Sequence, residues 1–174
     1  NLPANLKVHG LDKVSDPAMN LDTVRPEIVK RYLRSGYRPE RLSIAVGKVR
    51  ANGKAEYTLS VNGQALKKNL PDSLLINGRV YKVIKNDSGT IKAVEYNNQT
   101  AKAVTNNAHA EQKLFNHFTD NYAGQNVKVD IAVQNTSLKN PGMCDGCQVT
   151  SKTFAKHNLT FDVDIYEGST GVNR

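Results

Sequence analysis

Two short motifs place three zinc-binding side chains and one further carboxylate within reach of a common chemistry. They are His109-Ala110-Glu111 and, later in the chain, Cys144-Asp145-Gly146-Cys147. A neutral imidazole and two thiolates fill three positions of a tetrahedral zinc ion and leave the fourth to water, which is the layout of a catalytic rather than a structural site. Zinc lowers the pKa of that water to about 7 in favourable cases, so a nucleophile is available without strong base. Glu111 is then the proton carrier. It takes a proton from the water, gives it to the ring nitrogen beside the attacked carbon, and helps the amino group leave as ammonia. The implied reaction is hydrolytic deamination of a nucleobase. Residues two apart diverge on a regular helix, so ligand and base flank one ion only at a helix's first turn. His109 is therefore expected at a helix start.

Each motif alone has a plainer reading. A lone His-x-Glu is common by chance on a solvated helix face. A Cys-x-x-Cys can be a redox dithiol or half of a structural zinc site. The half-site needs two further ligands, but there is no third cysteine and His9, His117 and His157 are scattered. The redox reading leaves His109 and Glu111 unexplained. A Cys144–Cys147 disulfide would close a very small loop, and small loops gain little stability. The two motifs in this order favour zinc, with a redox or non-enzymatic binding module as the alternative of another class.

The flanking sequence predicts elements that would carry the motifs. After Thr105-Asn106-Asn107, the residues Ala108, Leu114, Phe115 and Phe118 recur at helical intervals, predicting a helix over 108–118 opened by polar caps. Val127 to Val133 begins with alternation and turns wholly apolar, as a strand covered on both faces would. Cys144 to Lys156 reads as a second helix with its cysteines at the positive end, where thiolates are stabilised. Leu159 to Tyr166 alternates as a further strand. Helix, strand, helix, strand suggests parallel pairing through a crossover. Upstream, 42–49 and 55–61 flank Asn52-Gly53 as one hairpin, and 79–85 with 90–96 flank Asp87-Ser88-Gly89 as another. The stretch 67–77 reads as a loop, 1–21 as an irregular arm, and 168–174 as a disordered tail.

His109-Ala110-Glu111 and Cys144-x-x-Cys147, set on two helices, resemble the cytidine deaminase-like superfamily over roughly 41–167. The resemblance implies an α/β fold: a mixed central sheet flanked by helices carrying the two motifs, with 41–174 as the zinc-dependent deaminase domain. The segment 1–40 would be a small, mainly helical extension. It implies His109, Cys144 and Cys147 as zinc ligands and Glu111 as the proton shuttle. The backbone around Ala108 and Ala110 would meet the base. Asn107 is either a helix cap or a hydrogen-bond donor to sugar or base. Members commonly carry proline directly before the first cysteine, whereas Pro141 is separated from Cys144 by Gly142 and Met143. In this the chain looks closer to bacterial toxin deaminases, including those acting on cytosine in double-stranded DNA. After Tyr166 only 167–174 remain, so the last helix and fifth strand of many members are expected to be missing. The resemblance also implies a toxin module of a larger secreted carrier, acting in the target-cell cytoplasm, with a cognate immunity protein as partner. A chain that begins at Asn1 rather than methionine suits such a module.

Composition bounds the rest. At 174 residues and 39% hydrophobic the chain can bury a sizeable core, and no stretch is apolar and long enough for a transmembrane helix. Two cysteines committed to zinc leave none for disulfides, which suits a reducing compartment. The net charge of +8 permits a polyanionic partner, DNA or RNA. Arg25, Lys30, Arg31, Arg34 and Arg38 cluster with Tyr37 interleaved, a pattern suited to single-stranded nucleic acid. The same stretch reads equally as an amphipathic helix with Val24, Ile28, Tyr32 and Leu33 inward and its charges merely solvated. The favoured substrate is cytosine in nucleic acid, DNA before RNA, with free cytidine or deoxycytidine and adenine as alternatives.

Overall fold

The computed structural model describes residues 2–39, 42–62, 66, 70–86, 88–92, 109–135, 142–143 and 145–168. In chain order these form β1 (Leu6–Gly10), two 3-10 turns (Leu11–Lys13 and Pro17–Met19), α1 (Leu21–Tyr32), β2 (Ile44–Ala51) and β3 (Lys54–Val61). They continue as β4 (Ser73–Ile76), β5 (Arg79–Val83), α2 (Ala110–Tyr122), β6 (Val127–Gln134), α3 (Asp145–His157) and β7 (Phe161–Glu167). The strands make one mixed seven-stranded sheet in the order β1-β7-β6-β2-β3-β5-β4.

The two-residue turn at Asn52-Gly53 has positive φ at both positions (53° and 76°), which twists its strands correctly for a tight hairpin. It pairs β2 with β3 from Ile44↔Val61 to Ala51↔Lys54. β2 then pairs antiparallel with β6, and β6 runs parallel to β7 with Val127 opposite Phe161 and α3 as the crossover. Alternation along these strands feeds two cores. Val127, Val129, Ile131 and Val133 of β6 join Val163 and Ile165 of β7 under α2 and α3. Ile44, Val46, Leu59 and Ala132 face the other way, against Leu21, Val24 and Ile28 of α1. Among the described residues no helix is long and apolar enough to cross a membrane.

Two segments differ from their sequence reading. Residues 6–10, expected to be irregular, form β1, parallel to β7 with Leu6 opposite Val163. The five residues of β1 are too few to show a period, and the partner strand lies at the far end of the sequence. The stretch 67–77, read as a loop, contains β4, a four-residue strand with Leu74 and Ile76 buried. It joins β5 antiparallel through Asn77-Gly78, again a two-residue turn with positive φ at both positions (50° and 77°). The partners of β5 are thus β4 and, in parallel, β3, not 90–96, of which 93–96 lie outside the described residues.

The helices that bear the motifs are fixed by aromatic packing. Phe115 of α2 stacks on Phe154 of α3, with ring centroids 4.9 Å apart, and Phe154 meets Phe161 of β7 edge-on at 5.8 Å. These contacts lie about two turns below His109 and Cys147, so they set the separation of the helix starts. Phe118 is fully buried against Gly47 of β2.

Candidate metal centre

Because α2 leads directly into β6 and α3 into β7, both helices begin at the edge of the sheet where β6 and β7 end. Ligand sites of open α/β sheets form at this edge, beyond the carboxyl ends of parallel strands. His109 is the N-cap of α2, in extended backbone (φ −65°, ψ 147°), and its side chain makes no capping bond. It turns to α3 instead, with Nδ1 3.3 Å from Cys147 Sγ. The helix thus opens at Ala110, two residues later than the sequence predicts, and without a side-chain cap from His109. Glu111, in the first turn, is 2% exposed, and Cys147 is fully buried.

One ligand atom from each of His109, Glu111 and Cys147 lies within 4.8 Å of the others. Nitrogen at about 2.05 Å and sulfur at about 2.3 Å on a tetrahedral ion stand about 3.5 Å apart. The His109–Cys147 separation fits that geometry without rearrangement. Imidazole and thiolate are a donor pair suited to zinc and similar ions, and the group can hold a metal ion. The positive ends of α2 and α3 both favour a thiolate and a carboxylate here. Cys144, Asn107 and Ala108 lie outside the described residues. Ala110 does adjoin the centre, but its methyl is fully buried in the core, so what it can offer the site is backbone. No protein-family model, curated protein or solved structure matches the chain.

Two backbone clamps hold the segments next to the helices that bear the motifs, and the sequence analysis identified neither. The Met143 N–H, one residue before Cys144, donates to Glu167 Oε1 at 2.7 Å, and the Met143 carbonyl accepts from Gln148 Nε2 at 2.9 Å. Burial pushes the Glu167 carboxyl above its ordinary range, against the opposing hydrogen bond from Met143. On the other side, Ile91 N–H donates to Asn116 Oδ1 (2.7 Å) and its carbonyl accepts from Gln112 Nε2 (2.9 Å). Gln112 and Asn116 are buried one turn apart on α2. That i,i+4 polar pair, set among Leu114, Phe115 and Phe118, is the sequence signal from which the second clamp could have been found.

The basic stretch divides. Arg25 does not belong to an exposed surface: it is 4% exposed, with Nε donating to Gln134 Oε1 (2.8 Å) and Nη1 to Pro39 O (3.0 Å). It sits on the inward face of α1 beside Val24, and its guanidinium ties the 34–39 segment to the end of β6. Arg31 reaches Leu75 O (3.0 Å) and Glu27 (3.2 Å). Lys30, Arg34, Tyr37 and Arg38 are exposed, with the Arg34 guanidinium 5.2 Å from the Tyr37 ring centre.

Proposed function

We propose that this chain is a zinc-dependent hydrolytic deaminase that converts cytosine to uracil in nucleic acid. The observation that carries the reading is the buried His109–Cys147 contact with Glu111 beside it at two converging helix starts. His109, Cys147 and Cys144 would hold the ion. When bound, zinc supplies an acidified water near neutral pH. The overall change consumes one water and releases one ammonia for each amino group replaced by a carbonyl oxygen.

Glu111 is what makes the site a proton-transfer site rather than a metal store. Its carboxyl is removed from solvent, so protons it carries pass between water, the N3 atom of the base and the departing amino group without exchange to bulk. The buried surroundings also strengthen its electrostatic contacts. The sheet supports the reading in one further respect. The resemblance leaves the last helix and fifth strand missing, and β1 adds a strand to the sheet beside β7, so part of that wall can be supplied from the other end of the sequence. Delivery as a toxin module and inhibition by an immunity protein belong to the same proposal and follow from the resemblance.

The test is sequencing of genomic DNA and total RNA from bacteria briefly expressing the chain beside its Glu111→Ala variant. Enriched C-to-T changes in DNA, absent in the variant, are the expected result. Changes confined to RNA, or A-to-G changes, would redirect the substrate, and no difference from the variant in either pool would overturn the nucleic-acid reading.

A further inference from the structure

A second cavity, of about 390 Å³, lies where the Pro17–Met19 turn and the start of α1 meet the β4–β5 hairpin. Pro17, Ile76 and Tyr81 contribute its apolar wall, and the exposed Thr23, Asn77 and Arg79 stand at its rim. Ile76 and Tyr81 belong to the core under α1, on the face of the sheet away from α2 and α3. β5 begins at Arg79 and runs parallel to β3, which is antiparallel to β2 as β6 is. The cavity therefore opens at the edge of the sheet where β6 and β7 begin, far from the candidate metal centre where they end.

The charges of the lining leave one cation over. Asp16 brings a carboxylate, but it already accepts from Lys48 Nζ (2.8 Å), Tyr57 OH (2.6 Å) and Ala18 N (2.9 Å), so Lys48 matches its charge. Tyr81 OH donates to Ala18 O at 2.7 Å, and burial pushes the phenol up to about 12, so it stays neutral. The Arg79 guanidinium lies 4.5 Å from the ring centre of Tyr57, and no carboxylate pairs with it among the described residues. Stacking on a ring fixes the guanidinium plane and leaves its N–H edge to an incoming anion, the geometry that gives two parallel hydrogen bonds to a phosphate.

We propose that this cavity binds a nucleoside monophosphate, with the phosphate on Arg79, the ring of the base against Pro17 and Ile76, and the Asn77 amide hydrogen-bonded to the nucleoside. The inference stands apart from the deaminase reading, because the site shares no residue with the metal centre. One unmatched cation, two neutral hydrogen-bonding side chains and an apolar wall match one phosphate, a hydroxyl-bearing sugar and a flat ring. At about 390 Å³ the space falls at the small end of the roughly 300–1,000 Å³ that small-molecule sites occupy. A free nucleotide and the phosphorylated end of a strand offer this same chemistry.

The experiment follows amide NMR shifts of the full chain during titration with cytidine monophosphate, and separately with inorganic phosphate and with cytidine. Saturable shifts are expected at Ala18, Thr23, Asn77 and Gly78, with the nucleotide bound at least about tenfold more tightly than either fragment, since each end of it gains hydrogen bonds. Arg79→Gln should weaken nucleotide binding about tenfold, and Arg79→Lys should recover little of it, because an ammonium lacks the planar fork. Asn77→Gly suits the turn's positive φ of 50° and removes only the amide, so it should weaken binding about threefold. Shifts confined to the surroundings of His109 and Cys147, inorganic phosphate bound as tightly as the nucleotide, or a folded Arg79→Gln chain that binds like the parent would overturn the proposal. A trinucleotide with a terminal phosphate that displaces cytidine monophosphate from these residues would make a strand end the source; failure to displace it would make the source the free nucleotide.

Discussion

Gly47→Ala tests whether α2 is seated on the sheet as closely as the candidate metal centre requires. A Cβ at position 47 would lie 2.7 Å from Phe118 Cζ, 2.9 Å from Phe118 Cε2 and 2.8 Å from Thr58 Oγ1. These are closer than side-chain carbons approach one another, so a neighbour must move. Phe118 and Thr58 are fully buried, and Thr58 Oγ1 is held by Gly47 O at 2.9 Å. The ring has no solvent to swing into, and relief requires α2 to lift. Overpacking of this kind destabilises by about 1–3 kcal/mol. The opposing gain, from the smaller backbone freedom of alanine in the unfolded chain, is about 0.4–1 kcal/mol, so the net loss is about 1–2 kcal/mol. Thermal unfolding should show a melting temperature lower by roughly 2–8 °C at this chain length. A lifted α2 also carries His109 away from Cys147, so the variant should lose metal to a chelator more readily. The control is Phe118→Leu, which removes the obstructing ring atoms. In that background the contact with Thr58 Oγ1 remains, so Gly47→Ala should cost less than in the parent without becoming neutral, giving a coupling of about 1 kcal/mol in a double-mutant cycle. A Gly47→Ala melting temperature equal to the parent's, or strict additivity with Phe118→Leu, would refute the close seating of α2.

Asp16 accepts hydrogen bonds from Lys48 Nζ (2.8 Å), Tyr57 OH (2.6 Å) and Ala18 N (2.9 Å). Burial raises its pKa, but the hydrogen bonds from Lys48, Tyr57 and Ala18 outweigh that and hold it at about 2 against an ordinary 3.8. Because the folded value is the lower one, this stability of about 2 kcal/mol is present above pH 4 and disappears as pH falls from 4 towards 2. Urea unfolding of Asp16→Asn should show that deficit at pH 7 and little of it at pH 2; a pH-independent deficit would contradict the ion-pair account. Glu167→Ala removes the acceptor for the Met143 N–H beside Cys144 and should weaken metal binding about tenfold in a chelator competition. Glu167→Gln, which keeps a carbonyl oxygen, should restore most of it, and equal losses in both would show that the contact does not position the loop. Cys147→Ser should purify with well under one metal ion per chain. Stripping the parent of metal should destabilise it by about 4 kcal/mol if the free ion had stood at a thousand times Kd, read as a lower melting temperature.

The motif-bearing half of the chain was legible because its signals are local. Asn52-Gly53 announces the β2–β3 hairpin, the spacing of Leu114, Phe115 and Phe118 announces α2, and the alternation in 161–166 announces β7. The prediction that His109 starts a helix came from the chemistry of ligand and base, and its imidazole does face Cys147. What was not legible depends on remote partners. β1 is five residues long and exists because Phe161–Glu167 offers it an edge. β4 is four residues of which only Leu74 and Ile76 turn inward, too short to distinguish from a loop after Pro71-Asp72. Arg25 looks like its solvated neighbours in sequence, since Gln134 and the Pro39 carbonyl, which bury it, are brought near only by the fold. The Glu167 clamp joins the end of the last strand to the residue before Cys144, a contact without any local pattern.

The measurement that bears most directly on the central claim is uracil formation by the purified chain on a cytosine-containing oligodeoxynucleotide and on deoxycytidine, made together with metal analysis. The parent and Glu111→Ala should each carry about one zinc ion per chain and melt alike, while only the parent releases ammonia and forms uracil. The variant should be slower by a factor of at least about 10²–10⁴, the contribution of a positioned proton carrier. A chain that binds zinc yet forms no uracil from either substrate, or a Glu111→Ala variant as active as the parent, would contradict the account.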